Sequence, residues 1–459
     1  MQTCELSGVT SLLIQQDGEH DVERVALAAP DNSMIVSHVK ALFLYHRLDT
    51  ALLLPALRAT LAHYPIFLGR LERSPTTGRW TALLNNAGAR YVLAKANHSS
   101  LLSSYNGLSA KEDILDENFI PGNLFCDQGL DPLSSDSPVL AIQVTEFEDG
   151  AVAVGVCAHH VLVDGPAFFR FVHQWSDAVA TLLRQNEKEK EEHSPTFEVK
   201  VCHDRELLKP KYQTPKLEHP EYALKEPAPY PASLTDLKFP PCSFKNFRFR
   251  RDDLERLKEA ASKSCSGGEF VSTNDALTAL FFQAVTRARN AEKEAPVKLG
   301  YAVDGRPRLP FLPEEYCGNA TFFGFIDTTA DRVLTMSLDE CSKLIRKTTD
   351  SMTTEYLQDA LAWVESQEDT AYIFPPFWSF FGNDFAVSNW VKSRLYKLTF
   401  GQEQEPFYAG IPPVPFGDGL LILVDGPEGD GITALLALRK DHMQVIENDP
   451  LFRAFCPRA

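Results

Sequence analysis

His160 and Asp164 stand four residues apart, just past the apolar run Ala-Val-Ala-Val-Gly-Val-Cys-Ala of residues 151–158. The intervening stretch reads His159, His160, Val161, Leu162, Val163, Asp164, Gly165. A run of small and β-branched residues bounded by turn residues predicts a buried strand, with polar groups appearing where it ends. An imidazole titrates near pH 6.5 when unperturbed, so a histidine there can accept a proton near neutrality. His160 is the candidate general base. Asp164 could be its acid–base partner. Past a tight turn, however, a carboxylate four residues on more naturally reaches away from the ring, which favours a bracing role. The plain alternative for His160 is a strand-end histidine with satisfied hydrogen bonds. His159 reads as structural, and Gly165 as a residue that permits the turn or a close backbone approach.

The elements that must position this pair follow from local signals. Residues 139–144 and 151–158 flank Glu148, Asp149 and Gly150, a hairpin pattern that sets the histidine strand beside a neighbour. Pro166 suits a helix start, and Phe168, Phe171, Val172, Trp175, Val179 and Leu182 recur at helical spacing. Upstream, residues 34–45 read as a strand. Residues 50–64 read as a helix with Leu53, Leu57 and Leu61 on one face, capped by Asp49 or Thr50 and stopped by Pro65. Residues 71–84 read as a hairpin with Gly78 in its turn. The Pro166 helix runs into the charged stretch 187–192, read as solvated, and the chain stays rich in Pro, Lys and Glu to about residue 240. So long a stretch with little periodicity is a crossover between two domains. Beyond it the pattern predicts a strand at 242–249 and a helix at 251–262. A second helix at 276–288 lies behind the cap signal of residues 272–275, with strands at 297–303, 385–390, 420–424 and 431–438.

The bulk numbers bound the function. A chain of 459 residues exceeds one ordinary core. A formal net charge of −17 disfavours nucleic acid and anionic membrane as partners, without excluding an anionic ligand in a locally basic pocket. No apolar segment approaches the ~18 residues of a membrane span. The first residues lack the basic-then-apolar order of a signal peptide, and the nine cysteines are scattered singly. A cytoplasmic protein with reduced thiols and no metal site is expected.

Several separated stretches carry a resemblance. His159-His160-Val161-Leu162-Val163-Asp164-Gly165 resembles the His-His-x-x-x-Asp-Gly signature of coenzyme A-dependent acyltransferases. Thr399-Phe400-Gly401-Gln402-Glu403 looks like the second signature of the plant and fungal BAHD acyltransferases, Asp-Phe-Gly-Trp-Gly, of which only Phe400 and Gly401 are retained. The surroundings also match: Ser388-Asn389-Trp390, a strand through Tyr396-Lys397-Leu398, Tyr408-Ala409-Gly410, the segment from Leu61 to Leu71, His203-Asp204-Arg205, Asp304-Gly305-Arg306 and Tyr316-Cys317-Gly318-Asn319-Ala320. The resemblance covers roughly residues 5–455.

It implies an α/β fold of two chloramphenicol-acetyltransferase-like domains, each a mixed sheet flanked by helices. The expected division is 1–185, a crossover at 186–240, and 241–459, with a channel at the interface. It implies direct acyl transfer from an acyl-CoA co-substrate to the hydroxyl or amine of a small molecule, with no permanent cofactor. By resemblance, His160 is the general base and Trp390 the oxyanion donor. Asp164 pairs with Arg306 as a brace beside Gly165. Ser272 and Thr273 either contact coenzyme A or simply cap a helix. Ser37 and His38 either line the acceptor pocket or serve only the strand face. The Phe374-Pro375-Pro376-Phe377-Trp378 cluster lines the acceptor channel or packs as core. Thr399 cannot form the ion pair of the family aspartate. A monomeric enzyme of specialised metabolism, of fungal type, is the expectation. The alternatives are a stand-alone relative of peptide-synthetase condensation domains that takes carrier-bound acyl groups, and a non-catalytic descendant that only binds acyl-CoA.

Overall fold

The computed structural model describes residues 4–18, 21–97, 114–116, 122–124, 129–187, 198–225, 240–377, 382–411 and 417–456. The strands in chain order are β1 (Glu5–Ile14), β2 (Glu23–Ala26), β3 (His38–Tyr45), β4 (Arg70–Arg73), β5 (Trp80–Leu84), β6 (Ala89–Asn97), β7 (Ile114–Asp116), β8 (Leu140–Phe147) and β9 (Val152–His159). The second half adds β10 (Ala223–Leu224), β11 (Cys242–Phe249), β12 (Pro296–Asp304), β13 (Thr321–Thr329), β14 (Ile373–Phe374), β15 (Phe385–Asn389), β16 (Tyr408–Gly410), β17 (Leu420–Asp425) and β18 (Ile432–Arg439).

Two mixed sheets dominate. One has the order β1-β6-β8-β9-β3-β16, the other β13-β12-β15-β17-β18-β11-β7. Each sheet takes its last strand from the opposite half of the chain: β16 pairs with β3, Tyr408 opposite Leu44, and β7 pairs with β11. The fold is thus α/β, two mixed sheets flanked by helices and laced together at their edges.

The strand carrying the histidines is formed for the reason its composition suggests. All eight residues of β9 are buried, and β9 lies between β8 and β3, antiparallel to both. Gly150 turns the β8–β9 hairpin with φ at 87°. The following helix, Gly165–Glu187, lays Phe168, Phe171, Val172, Trp175 and Val179 against the first sheet, each at most 1% exposed. Trp175 fills the gap to the Leu53–Leu61 helix, where its indole N–H donates to the Leu53 carbonyl at 2.9 Å.

Some expected elements differ. β3 begins at His38, not residue 34, because residues 29–32 form a short buried helix closed by Ser33 and the chain then bends before joining the sheet. The helix expected at 50–64 spans Leu53–Leu61, its N-cap is Leu52, and Pro65 opens a 3-10 turn. The Asp49 carboxylate accepts the Ala51 N–H at 3.0 Å, ahead of the helix. The strand expected through Tyr396-Lys397-Leu398 is a 3-10 turn: Arg394 is left-handed, φ 49°, and the N–H groups of Leu395 and Tyr396 go to the Asp425 carboxylate instead of to a neighbouring strand. β1, β6 and β13 lack a clear pattern in the sequence. The charged stretch 187–192 lies, from residue 188 on, outside the described residues.

The crossover is pinned to the second half by a buried ionic latch. His219 sits between two carboxylates, Nδ1 at 2.9 Å from Glu221 Oε1 and Nε2 at 2.9 Å from Asp359 Oδ1 on the Thr354–Glu365 helix. Asp359 also accepts the N–H groups of Lys216 and Leu217, and Tyr356 donates to Glu221 at 2.7 Å. Burial alone would lower the His219 pKa, but the two carboxylates win and raise it. Removing one partner of a buried ionic cluster typically costs ~3–5 kcal/mol, so His219→Ala lowers the melting temperature sharply. A group whose folded pKa is raised stabilises fully below its unfolded pKa, about 6.5 for histidine, and loses that contribution as pH rises through the folded value. The wild-type advantage over His219→Ala therefore shrinks with rising pH, as melting curves from pH 6 upward will report.

The Thr399 segment holds its place without an aspartate. Phe400 is fully buried at a ring distance of 4.6 Å from Trp175, and its N–H donates to Ser176 Oγ at 2.9 Å. Gln402 and Asp49 exchange two hydrogen bonds, side-chain amide to backbone, at 3.0 and 3.2 Å. Gly401 has φ 73°, and a methyl there would lie 2.5 Å from Ala180 Cα. Gly401→Ala combines left-handed strain with overpacking and destabilises by about 2–4 kcal/mol in urea unfolding.

Candidate active site

His160 follows the last residue of β9, where the chain leaves the sheet. Its N–H donates to the Ser37 carbonyl at 2.8 Å, which fixes the backbone against the segment entering β3. The residue is half-buried, and its Nδ1 is buried without a hydrogen bond of good geometry. Burial lowers the His160 pKa, opposed by the nearby carbonyls of His160 and Val163, the Asp164 charge and the Asn319 amide. The imidazole is therefore neutral at pH 7, the form that can accept a proton.

Asp164 points away from that ring. Its carboxylate is 1% exposed and makes a two-pronged pair with Arg306, at 2.9 Å from Oδ2 to Nη1 and 3.0 Å from Oδ1 to Nη2. Oδ1 also accepts the Ala167 N–H at 3.0 Å, closing the first turn of the following helix, and Oδ2 accepts the Ala320 N–H at 2.8 Å. Arg306 spends its remaining donors on Asp304 and on the carbonyls of Tyr316 and Gly318. Burial disfavours the guanidinium charge, but Asp164 outweighs it and raises the pKa. The pair joins the two halves of the chain directly behind the base.

A second buried network, not singled out in the sequence, grips the same loop. Asp31, fully buried, pairs through Oδ2 with Arg205 Nε at 3.0 Å, and its Oδ1 accepts the backbone N–H and side-chain Nδ2 of Asn319 at 2.9 and 2.8 Å. Asn319 Nδ2 also reaches the carbonyls of His160 and Val161, at 2.9 and 3.0 Å. Arg205 donates to the carbonyls of Leu162, at 3.1 Å, and Cys317. Burial raises the Asp31 pKa despite Arg205, and pushes the Cys317 thiol up to about 12. Three consecutive carbonyls after β9 are thus held by side chains from the crossover and the second half. Arg205 and Asn319 stand in segments that carry the family resemblance. Asp31 had only the short polar Asp31-Asn32-Ser33 stretch to mark it.

The other candidate residues distribute around this loop. Trp390, at the end of β15, lies across the backbone of Gly165: a methyl on Gly165 would sit 3.2 Å from its indole nitrogen. Its ring meets Phe169 edge-on at 5.0 Å. The residue before it, Asn389, donates to Asn274 Oδ1 at 2.7 Å, which brings the start of the Thr273–Arg289 helix close to the same place. Ser272 caps that helix, accepting the Asp275 N–H at 3.2 Å, and its hydroxyl is further engaged by Asp275 and Arg346. Thr273 is the first residue of the helix. Ser37 and His38 are half-buried, with His38 opposite His159 in the β3–β9 register. His159 accepts the Val161 N–H at Nδ1 and so donates from Nε2 to the Pro132 carbonyl at 2.9 Å. Burial pushes its pKa down to about 4. Phe374 belongs to a short two-stranded ribbon, and Phe377 is core, packed on Gly300 and Phe323; Trp378 lies outside the described residues. Among the described residues no cluster of His, Cys, Asp and Glu could hold a metal, and no helix is long and apolar enough to cross a membrane.

Comparison with known proteins agrees with this architecture. The profile of the Transferase family matches residues 10–452. Hydroxycinnamoyltransferase 1 from Oryza sativa subsp. japonica is 30% identical over 396 residues, 84% of this chain and 83% of its own length. Anthranilate N-benzoyltransferase protein 2 from Dianthus caryophyllus is 26% identical, covering 91% of this chain and 88% of its own. Among solved structures, F. graminearum TRI101 complexed with ethyl coenzyme A superposes with a TM-score of 0.75 at 18% identity, over 95% of this chain and 99% of that one. With a family profile spanning nearly its whole length, a two-sheet fold shared with TRI101 and the His-His-x-x-x-Asp-Gly loop at the junction of the sheets, this chain belongs to the Transferase family, the BAHD acyltransferases.

Proposed function

We propose that the protein transfers an acyl group from a coenzyme A thioester directly to the hydroxyl or amine of a small specialised metabolite, with His160 as general base. The observation that carries this reading is the place of His160 at the end of β9, a half-buried residue with Nδ1 enclosed and with burial lowering its pKa, so that the neutral form prevails at pH 7. Nε2 takes the acceptor proton as the oxygen or nitrogen attacks the thioester carbonyl. The tetrahedral oxyanion is met by the Trp390 indole N–H, which can only donate. The C–S bond then breaks, and the imidazolium returns its proton to the leaving thiolate, so free coenzyme A and the ester or amide are the products. Holding both substrates at one base removes much of the entropic barrier. Asp164 and Arg306 position the loop and take no proton. Ser272 is committed as a cap, so contact with coenzyme A at that helix falls to Thr273 and the N–H groups of Thr273 and Asn274 that open it. Ser37 and His38 border the acceptor side.

The names of the relatives, a hydroxycinnamoyltransferase and an anthranilate N-benzoyltransferase, support aromatic donors, and the second names a nitrogen acceptor. The test is acceptor-dependent thiol release across short, aromatic and long-chain acyl-CoAs, with products read by mass spectrometry. Release only from a carrier-bound acyl thioester would replace this reading with a condensation-type enzyme. Binding of acyl-CoA with no turnover for any acceptor would make the protein a binding descendant.

A further inference from the structure

The loop that carries the base is held by its main chain. The His160 N–H donates to the Ser37 carbonyl at 2.8 Å, and the His160 carbonyl accepts Asn319 Nδ2 at 2.9 Å. The Val161 N–H goes to His159 Nδ1 at 3.3 Å, and the Val161 carbonyl again to Asn319 Nδ2 at 3.0 Å. The Leu162 N–H goes to the His159 carbonyl at 2.9 Å, and the Leu162 carbonyl to Arg205 Nη2 at 3.1 Å. Both main-chain polar groups of three successive residues are therefore engaged. The direction of a side chain follows from its backbone angles and the rotamers they allow, so the place of the imidazole is set by whatever holds these carbonyls.

The donors that hold them lead back to one buried ion pair. Asp31 Oδ1 takes both the backbone N–H and the side-chain Nδ2 of Asn319, at 2.9 and 2.8 Å, which fixes the plane of that amide with a charged acceptor. Asp31 Oδ2 takes the Ala28 N–H at 3.0 Å and lies 3.0 Å from Arg205 Nε. Arg205 is further held by the Cys317 carbonyl and by the Tyr316 ring, 5.3 Å below the guanidinium. The crossover around it is stitched to both halves. Cys202 accepts the Cys317 N–H at 2.7 Å and donates to the Glu315 carbonyl at 3.0 Å, while His203 Nε2 meets the His63 carbonyl at 2.9 Å. The 316–320 segment passes so close that a methyl on Gly318 would lie 2.5 Å from Arg205 Nη1. We infer that the Asp31–Arg205 pair is a positioning device for the general base, holding the near side of the His160 loop through Asn319 and the Leu162 carbonyl. This deepens the proposed function and rests on its reading of His160 as general base. Asp164 and Arg306 hold the far end of the same loop, where the following helix begins. The crossover, a linker by its sequence, thereby takes part in placing the imidazole.

The test separates positioning from stability. Arg205→Met strands the Asp31 charge and should melt at a markedly lower temperature. In Asp31→Asn/Arg205→Met no charge is stranded, so the melting temperature should recover much of that loss. The rate should not recover with it. Measured below the melting onset of every variant, kcat of the double variant is expected to stay on the order of 10-fold to 10²-fold below wild type, the scale of a base misplaced by about 1 Å. The KM for acyl-CoA should remain within about twofold. Asn319→Ala leaves Asp31 and Arg205 paired and should show the same split, so it and the double variant carry the test if Arg205→Met does not fold. Gly401→Ala is the control: it is destabilised away from the loop and should keep kcat within about twofold of wild type. Wild-type kcat in the double variant would overturn the inference. So would a Gly401→Ala rate as low as that of the double variant, or a loss that falls on KM with kcat intact. Full activity in His160→Ala would sink the general-base reading itself; an inactive His160→Ala beside a fully active double variant removes the inference alone.

Discussion

His160→Ala lowers kcat by ~10²–10⁴-fold, the usual span of a lost general base, while the KM for acyl-CoA and the melting temperature stay close to wild type. The reasons lie in how the histidine is held. Its backbone is fixed by Ser37 and Asn319, and those bonds use main-chain atoms that alanine keeps. The side chain makes no hydrogen bond at Nδ1 that alanine would lose, and the residue is only half-buried. Chemistry should therefore separate cleanly from stability. The wild-type rate also carries a sign. The neutral ring is the active form, and burial lowers its pKa beneath the ordinary histidine value of about 6.5. The rate stays flat through neutrality and falls only as pH drops through that lowered value. In His160→Ala that acid limb disappears. Steady-state thiol release from pH 5 to 8 checks both. Wild-type kcat in the variant, or an acid limb that survives it, would remove His160 from the chemistry.

Arg306→Ala is expected to act the other way, through structure first. Asp164 would be left as a carboxylate 1% exposed, retaining only the Ala167 and Ala320 N–H groups and a long contact to Thr321. Removing one member of a buried ion pair costs ~3–5 kcal/mol, mostly the penalty of the stranded charge. The carbonyls of Tyr316 and Gly318 lose their donors in the same step. Activity falls with stability because Asp164 anchors the far end of the loop that His160 opens. Arg306→Lys keeps the charge but not the planar fork that meets both oxygens, so it lies between wild type and alanine on both scales. The double variant Asp164→Ala/Arg306→Ala separates the two contributions: it should recover part of the stability lost in Arg306→Ala, since no charge is stranded, yet recover little activity. Denaturant unfolding and kcat measured on the same four proteins test this, and equal stability of the single and double variants would contradict the stranded-charge argument.

The parts of this fold legible in the sequence are those set by neighbours in the chain. Asp149 and Gly150 between two apolar runs specify the β8–β9 hairpin, and the repeat from Phe168 to Leu182 specifies a helix. Both are decided by turn chemistry and periodicity. β1 was not legible because it is an edge strand whose Val9 and Leu13 remain exposed, so no alternation of buried and exposed positions marks it. β16 is three residues long, and its pairing with β3 has no local signature. The turn at Tyr396 resembles a strand in composition, but Asp425 captures its N–H groups. Within the site, His160, Asp164 and Arg306 could be named through a resemblance that pairs them. Asp31 could not. It acts on a loop about 130 residues away, through an asparagine from the other half of the molecule, and only the folded chain brings the three together.

The exchange of edge strands between the sheets has a consequence for the birth of the protein. Synthesis proceeds from the N-terminus, and domains usually fold as they emerge. Here the first sheet cannot be finished in that way. β3 stays an open edge until Tyr408–Gly410 leaves the ribosome, long after β3 itself. For most of translation the strand next to the histidines therefore offers unpaired backbone groups to any other nascent chain. Truncated products ending before residue 408 inherit that edge permanently. Premature termination should thus yield sticky fragments instead of a working half, and the segment from Tyr408 onward acts as the seal on the first sheet as well as part of the second.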